Sequence, residues 1–239
     1  MIAFGNPFGG GTASGSGDLR NCPTSQPPAL PAGQSRLVSI ATDLGDIDIR
    51  VDGALSPIAA GNFVALAECG FYDGVVFHRT AALPDGTPFV IQGGDPDGTG
   101  RGGPGYTIKD EPVTATYHRG TVAMARSQGV DTQGSQFFIV LDDRAGSVLA
   151  DANTYAIFGE VASGMEVADA IFQASAGEEL PADPVVMNSV TVSVLPAASG
   201  SPGASGGFSP LPSAGAASPA APPTSGPAAS GGPAASPSP

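Results

Sequence analysis

The chain of 239 residues contains no tryptophan, and Lys109 is its only lysine. Its formal net charge at pH 7 is −13, from 22 Asp and Glu residues against 9 Lys and Arg residues. A nucleic-acid-binding protein needs Lys and Arg to neutralise phosphates, and an anionic membrane surface attracts the same cations. We therefore expect neither nucleic acid nor an anionic membrane as a partner.

Long apolar runs are also missing. No segment approaches the eighteen or so consecutive apolar residues of a transmembrane helix, so we expect no membrane span in this chain. Met1 to Gly10 lacks the charged segment followed by an apolar one that marks a signal peptide. Flexible segments flanking a domain are nevertheless common in exported proteins. The compartment stays open: cytoplasmic, or exported or surface-tethered with an export segment outside this chain.

Cysteine is scarce, with only Cys22 and Cys69 present. Cys69 ends a predicted helix, whereas Cys22 lies in a polar N-terminal extension. One interpretation is two independent thiols. The other is a disulfide that joins the extension to the domain, which an oxidising compartment permits.

Composition divides the chain into three parts. Residues 1–35 are rich in Gly, Ser and Pro, and residues 196–239 are almost entirely Ala, Ser, Gly and Pro. Such segments bury too little apolar surface to offset the entropy lost on ordering, so we expect a flexible extension and a disordered tail. Residues 36–195, with alternating apolar patterns, are long enough for one domain with a single core.

Alternation predicts a mainly β domain. The predicted strands are residues 36–41, 45–50, 75–79, 89–93, 120–125, 135–141, 155–161 and 185–194. Ser56 as N-cap, Pro57 at the first helical position and Gly70 past the end predict a first helix. A second is predicted at Met165–Ala174. We therefore expect a closed eight-stranded antiparallel barrel capped by two α-helices, with residues 185–194 returning to the first hairpin.

One motif is misleading. Residues 98–103 read Gly-Thr-Gly-Arg-Gly-Gly, which matches the G-x-G-x-x-G dinucleotide pattern. That pattern needs a helix N-terminus directly after it to hold the pyrophosphate, whereas Pro104-Gly105 follows here. The spacing of His78 and His118 does not suit zinc, and the serines do not suit a nucleophile elbow. We expect no metal and no cofactor.

Four stretches carry the functional signal: Phe77-His78-Arg79, then residues 89–95 (Phe-Val-Ile-Gln-Gly-Gly-Asp), 134–139 (Gly-Ser-Gln-Phe-Phe-Ile) and 158–161 (Phe-Gly-Glu-Val). In this order they resemble the signature stretches of cyclophilins, and the resemblance to a bacterial type covers residues 36–195. It implies a peptidyl-prolyl cis-trans isomerase that acts on proline-containing polypeptides and assists protein folding. We also expect a monomer.

The resemblance also implies a set of site residues. The catalytic candidates are Arg79, Phe89, Gln92 and Phe138, and the substrate-binding candidates are Val90, Ala125, Arg126, Gln136, Leu149 and Tyr155. A guanidinium that donates to the proline nitrogen stabilises the twisted amide more than the planar one, which is what catalysis requires. Phe137 precedes Phe138 in a strand and is expected to face the opposite way, into the core.

Two departures from the family pattern matter. Many members place an indole beside the position of Leu149, and this chain has none, so we expect weak cyclosporin binding. An apparent insertion, Ala81 to Pro88, contains a Pro-Asp-Gly turn signal and borders the site. Two alternatives to an active isomerase stay open. One is a non-catalytic proline-peptide binding module or chaperone, and the other is a scaffold whose tails carry the function.

Overall fold

The structure, a computed structural model, describes residues 21–152, 154–175 and 178–196. The predicted tail from residue 197 onward and residues 1–20 of the predicted extension lie outside these ranges. The described chain forms eight strands and three helices, in the order β1 (Ser35–Thr42), β2 (Gly45–Asp52), α1 (Pro57–Glu68), β3 (Arg79–Ala82), β4 (Pro88–Gly93), β5 (Thr121–Met124), β6 (Phe137–Val140), α2 (Ala145–Ala152), β7 (Ile157–Ser163), α3 (Met165–Ala174) and β8 (Ser189–Leu195). None of these described helices is long and apolar enough to cross a membrane.

The first two strands form the hairpin that the alternating pattern predicts. β1 and β2 pair antiparallel along their whole length. Ile47, Ile49 and Val51, every second residue of β2, are buried. β8 pairs antiparallel with the other edge of β1, with Val190 opposite Ile40. The predicted return of residues 185–194 to this hairpin is therefore confirmed.

All eight strands belong to one sheet in the order β3-β4-β6-β5-β7-β2-β1-β8. Every pairing between these strands is antiparallel. The segments that precede the two edge strands bond to each other: the N–H of Phe77 donates to the carbonyl of Val185 at 2.9 Å, and that of Met187 to Val75 at 2.8 Å. The predicted mainly β class and the eight-stranded antiparallel sheet are confirmed.

The predicted count of two helices is wrong, because α2 is a third. α3 has the predicted bounds, and α1 lies between the predicted punctuating residues. α2 has only 8 residues and includes Gly146 and Ser147. Its sequence therefore shows no apolar stripe long enough to indicate a helix.

The strand predicted at residues 75–79 is displaced. β3 begins at Arg79, and Val76 makes only isolated bridges, to Asp95 and Val186. The reason is that the Val75–Phe77 segment bonds to the chain before β8 and not to β4. Within the apparent insertion, Ala81 and Ala82 belong to β3 and Pro88 begins β4, so residues 83–87 form the connecting turn.

The start of α1 is capped from a distance. Ser56 occupies the predicted N-cap position, but its side chain makes no capping hydrogen bond. The two carboxylate oxygens of Glu111 accept instead from the N–H groups of Ile58 and Ala59, each at 2.9 Å. This carboxylate satisfies two unpaired donors and faces the positive end of the helix dipole. At the other end, Gly70 has the positive φ of 77° that its predicted role requires.

Apolar side chains are buried on both faces of the sheet. The larger group, here called the inner cluster, joins β1, β2, α1 and α3 and includes Phe63, Phe137 and Phe158. The smaller group, here called the slot cluster, consists of Val90, Tyr117, Ala123, Phe138, Val140, Ala145, Leu149 and Ile157. Neighbours in a strand point to opposite faces. Phe137 therefore lies in the core, as predicted, while Phe138 faces the other cluster.

The chain before β1 packs against α1. Cys22 and Cys69 form a disulfide with an S–S distance of 2.05 Å. Leu30 is buried in the inner cluster. A Cβ at Gly61 of α1 would collide with the carbonyl of Pro28, so glycine allows this close approach. Of the two interpretations of the cysteines, the structure contains the disulfide.

Candidate active site

The register of the sheet places three candidate residues in one row. Arg79 of β3 lies opposite Gln92 of β4, and Gln92 lies opposite Phe138 of β6. Residues directly opposite each other in a sheet share a face and have neighbouring Cβ atoms. A cation, an amide and an aromatic ring therefore stand side by side on the slot-cluster face.

Phe89 reaches the same face through a β-bulge. Ala81 pairs with Val90 and Ala82 pairs with Pro88, so Phe89 is an extra residue on β4. In a regular strand Phe89 and Val90 would point to opposite faces, whereas a bulge redirects a side chain. Phe89 packs against the slot cluster, in which Val90 is buried.

These elements surround a cavity of about 160 Å³, here called the slot. Its lining consists of Arg79, Phe89, Val90, Gln92, Ala125, Arg126, Phe138, Leu149 and Tyr155. α2 supplies Leu149, and Tyr155 packs edge-on against Phe138 with ring centroids 5.4 Å apart. Six of its nine lining residues are apolar or aromatic, and its two charged residues are both arginines. All nine lining residues are among the candidate site residues given by the sequence analysis.

Gln136 does not line the slot, but hydrogen bonds connect it to Arg79. Nη1 of Arg79 donates to Oε1 of Gln92 at 3.3 Å, and Nε2 of Gln92 donates to Oε1 of Gln136 at 2.9 Å. Nε2 of Gln136 then donates to the carbonyl of Gly102 at 2.9 Å. Because each amide accepts on one side and donates on the other, the chain orients both glutamines.

A larger cavity of about 640 Å³ adjoins the slot and shares Gln92, Ala125 and Arg126 with it. The guanidinium of Arg126 is held at the boundary by Asp110, with Nη2 3.1 Å from a carboxylate oxygen. It also donates to the carbonyls of Thr154 and Gly129. An extended peptide that lies along Ala125 and Arg126 would therefore reach both cavities.

The glycine-rich loop, residues 98–103, wraps around the fully buried carboxylate of Asp95. One carboxylate oxygen accepts from the N–H of Asp97 at 2.8 Å, and the other from those of Thr99 and Arg101 at 2.9 and 3.0 Å. Burial alone would raise the pKa of Asp95, but hydrogen bonds from the loop hold it below the ordinary value. The N–H groups that a dinucleotide site offers to a pyrophosphate here bind the chain's own carboxylate. A Cβ at Gly102 would collide with it.

His78 lies beside Arg79 in the chain and is buried. Neither ring nitrogen has a hydrogen-bond partner among the described residues. Burial lowers the pKa of His78, Asp95 opposes this shift, and the charge of Arg79 adds to it. A neutral imidazole is therefore favoured here at neutral pH, so His78 adds no second charge beside the guanidinium.

Two residues at the site were not predicted from the sequence. Oε1 of Glu179 accepts from Nε of Arg79 at 2.8 Å, across a separation of 100 residues. The hydroxyl of Tyr117 donates to the carbonyl of Tyr155 at 2.9 Å and so holds the chain that carries the Tyr155 ring. Neither residue lies in a recognisable motif, and only the fold brings them to the site.

Comparison with known proteins decides the family. Residues 37–192 match the family described as "Cyclophilin type peptidyl-prolyl cis-trans isomerase/CLD". The chain belongs to the cyclophilin-type peptidyl-prolyl cis-trans isomerases. The predicted family and the predicted enzyme class are thereby confirmed.

Named cyclophilin relatives match over most of their own length. Peptidyl-prolyl cis-trans isomerase A of Mycobacterium tuberculosis is 40% identical over 175 residues, which covers 65% of this chain and 91% of that protein. Peptidyl-prolyl cis-trans isomerase-like 3 of Dictyostelium discoideum is 36% identical over 167 residues, covering 67% of this chain and 98% of that protein.

Solved cyclophilin structures are similar as well. A cyclophilin-type isomerase of Cryptosporidium parvum has a TM-score of 0.58 and 30% identity, and the match covers 68% of this chain and 99% of that one. A second crystal structure of that protein, obtained in the presence of the dipeptide Ala-Pro, has a TM-score of 0.56, with 31% identity over 66% of this chain and 98% of that one.

Proposed function

We propose that this cyclophilin rotates X-Pro peptide bonds of polypeptides in the slot, and that Arg79 stabilises the twisted amide. The observation that carries the proposal is the row of Arg79, Gln92 and Phe138, which sets one guanidinium at the rim of an apolar cavity. A reaction that only rotates a bond needs no nucleophile, so this set of groups suffices.

The chemistry follows from the peptide bond. Rotation is opposed by a barrier of about 18–20 kcal/mol because the nitrogen shares its lone pair with the carbonyl. At the twisted geometry the nitrogen regains that lone pair and can accept a hydrogen bond. A donor aimed at this nitrogen therefore binds the transition state better than the ground state. Arg79 suits this role because a guanidinium is always charged and presents several N–H donors in a rigid plane.

The slot would select proline by burying its ring. Phe89, Val90, Phe138 and Leu149 supply the apolar wall. Removal of roughly 100 Å² of ring surface from water contributes about 2–3 kcal/mol. That is enough to favour proline over polar residues but not enough for tight binding. Weak binding suits an enzyme that must release its product.

The remaining candidate residues would hold the peptide on either side of the ring. We assign Gln92 to the substrate backbone, with Gln136 fixing its orientation through their 2.9 Å hydrogen bond. Ala125 and Arg126 line both cavities and would contact an extended substrate through their backbone. The Tyr155 ring, packed on Phe138, would close the slot on one side.

Three structural expectations remain part of this proposal. The hydrogen bonds between residues 74–77 and 185–187 support closure of the sheet into a barrel. We take residues 36–195 as the isomerase domain, to which the packed segment before it is joined by the Cys22–Cys69 disulfide at the end of α1. We expect a monomer, and sedimentation that reports a dimer would reject this.

Cyclosporin should bind weakly. The chain has no tryptophan, so no indole stands beside Leu149, and the described lining of the slot is completed by Tyr155. Inhibition of X-Pro turnover over a cyclosporin titration measures this directly. Inhibition as strong as that of a cyclophilin with the indole would contradict the expectation.

The experiment is a protease-coupled X-Pro peptide assay on wild type, Arg79→Ala and Arg50→Ala. Arg50 is a matched control because it is an exposed arginine with a carboxylate partner, Asp52 at 3.4 Å, and it does not line the slot. We expect Arg79→Ala to lower kcat/KM by about 10²–10³-fold, as removal of one transition-state donor does, and Arg50→Ala to have no effect. Equal rates for wild type and Arg79→Ala would reject the mechanism. A wild type that binds X-Pro peptides without turnover would instead indicate a binding module.

A further inference from the structure

Glu179 occupies one edge of the Arg79 guanidinium. Its Oε1 accepts from Nε of Arg79 at 2.8 Å and lies 2.7 Å from Nη2. On the other side, Nη1 donates to Gln92 at 3.3 Å. Glu179 belongs to the segment that follows α3 and does not line the slot.

Because the guanidinium is planar, its N–H groups lie along two edges, and Glu179 occupies only one of them. Its N–H groups form a side edge, made by Nε and Nη2, and an end edge, made by Nη1 and Nη2. One carboxylate oxygen fills the side edge. Because Gln92 takes one of the two N–H groups of Nη1, the other N–H of Nη1 and the end-edge N–H of Nη2 remain for an amide in the slot.

The backbone around Glu179 is held independently of its carboxylate. The N–H of Thr80 donates to the carbonyl of Glu179 at 3.0 Å. The hydroxyl of Thr80 bonds to the carbonyl of Glu178 at 2.8 Å and to the hydroxyl of Ser175 at 2.9 Å. Removal of the Glu179 side chain should therefore leave this segment beside β3.

We propose that Glu179 is a positioning residue: by occupying the side edge of Arg79, it turns the end edge toward the X-Pro amide. This inference rests on the proposed role of Arg79 in the slot. A long arginine side chain has many rotamers, and a group oriented before substrate binds loses less freedom in the transition state. We expect loss of Glu179 to lower kcat and not to raise KM, because the Arg79 donor stabilises the twisted transition state and not the planar substrate.

A carboxylate beside Arg79 also offsets part of its charge, and this compensation by itself would weaken the stabilisation of the twisted amide. If charge compensation dominated, removal of the carboxylate would accelerate the reaction. Two variants separate the roles. Glu179→Gln keeps an oxygen acceptor and removes the charge, whereas Glu179→Ala removes both.

The test measures kcat and KM of the full chain on an X-Pro peptide for wild type, both Glu179 variants and Arg79→Ala. We expect Glu179→Ala to lower kcat by about two- to fivefold, the range that an exposed ion pair supplies, with KM within about twofold. Glu179→Gln should recover most of that loss. Asp169→Ala is the matched control, since Asp169 holds Arg119 through two exposed contacts of 2.9 and 2.6 Å and lines neither cavity.

A nuclear magnetic resonance experiment adds a direct readout of the contact between Glu179 and Arg79. The Nε–H signal of Arg79, assigned by its absence in Arg79→Ala, should exchange faster with water in Glu179→Ala and recover in Glu179→Gln. An unchanged or raised kcat in Glu179→Ala, beside an inactive Arg79→Ala, would overturn the inference and leave the proposed function intact. An Arg79→Ala variant as active as wild type would overturn both.

Discussion

The two faces of the central sheet differ in what their apolar side chains do. On one face the inner cluster packs α1, α3 and the hairpin β1–β2 together, and none of its buried residues lines the slot. On the other face the slot cluster ends at a cavity, so part of its apolar surface has no protein partner. Phe137 and Phe138, adjacent in β6, show the difference: each is buried, but only Phe138 borders the slot. One face serves stability and the other leaves surface for a ligand.

The largest expected effect on stability comes from the inner face. Phe137 is fully buried and packs edge-on against Phe63 and Tyr72. Phe137→Ala should lower the free energy of unfolding by about 3–5 kcal/mol, because it removes apolar contacts and leaves a cavity. Denaturant unfolding measures this change. A loss below about 1 kcal/mol would mean that the inner cluster is not the packed core that stabilises the domain.

A smaller effect is expected from the disulfide, which joins the chain before β1 to the end of α1. Cys22 and Cys69 are separated by 47 residues, and Leu30 between them is buried in the inner cluster. A Cys22→Ala/Cys69→Ala variant should be less stable by about 2–4 kcal/mol, because the unfolded chain regains the freedom that the cross-link removed. Its kcat per folded molecule should match wild type. A loss of kcat at unchanged stability would break the separation between the faces.

The smallest of the three effects is expected at the start of α1. Glu111→Ala leaves the N–H groups of Ile58 and Ala59 without the carboxylate that caps them. We expect a loss of about 1 kcal/mol in the free energy of unfolding. Ser56→Ala is the control, and it should cost less, because Ser56 makes no capping hydrogen bond. The reverse order would show that the local residue, and not Glu111, caps the helix.

The elements that the sequence predicted well are those with a local signal. The hairpin of β1 and β2 and the bounds of α3 follow from periodicity, and the end of α1 follows from Gly70. Among the slot residues, the motif stretches contain Arg79, Phe89, Val90, Gln92 and Phe138, whereas the resemblance to cyclophilins pointed to Ala125, Arg126, Leu149 and Tyr155. The resemblance placed Phe138 in the slot, and strand alternation then assigned Phe137 to the opposite face.

What the sequence did not predict depends on contacts between distant parts of the chain. The bulge at Phe89 becomes visible only when β3 is paired with β4. Glu111 caps a helix 53 residues away, and Glu179 meets Arg79 across 100 residues. α2 was missed because its short apolar content is stabilised by the slot cluster, to which it contributes Ala145 and Leu149. Local patterns do not contain these pairings.

The most direct test of the account compares Phe138→Leu with Phe137→Leu, measuring kcat/KM on an X-Pro peptide per folded molecule. Both changes keep a large apolar side chain, so each costs less stability than truncation to alanine would. We expect Phe138→Leu to lower kcat/KM by about tenfold or more, as the loss of 1.4 kcal/mol of contact with the proline ring does, and Phe137→Leu to leave it unchanged. Equal losses in the two variants would contradict the assignment of catalysis to one face of the sheet.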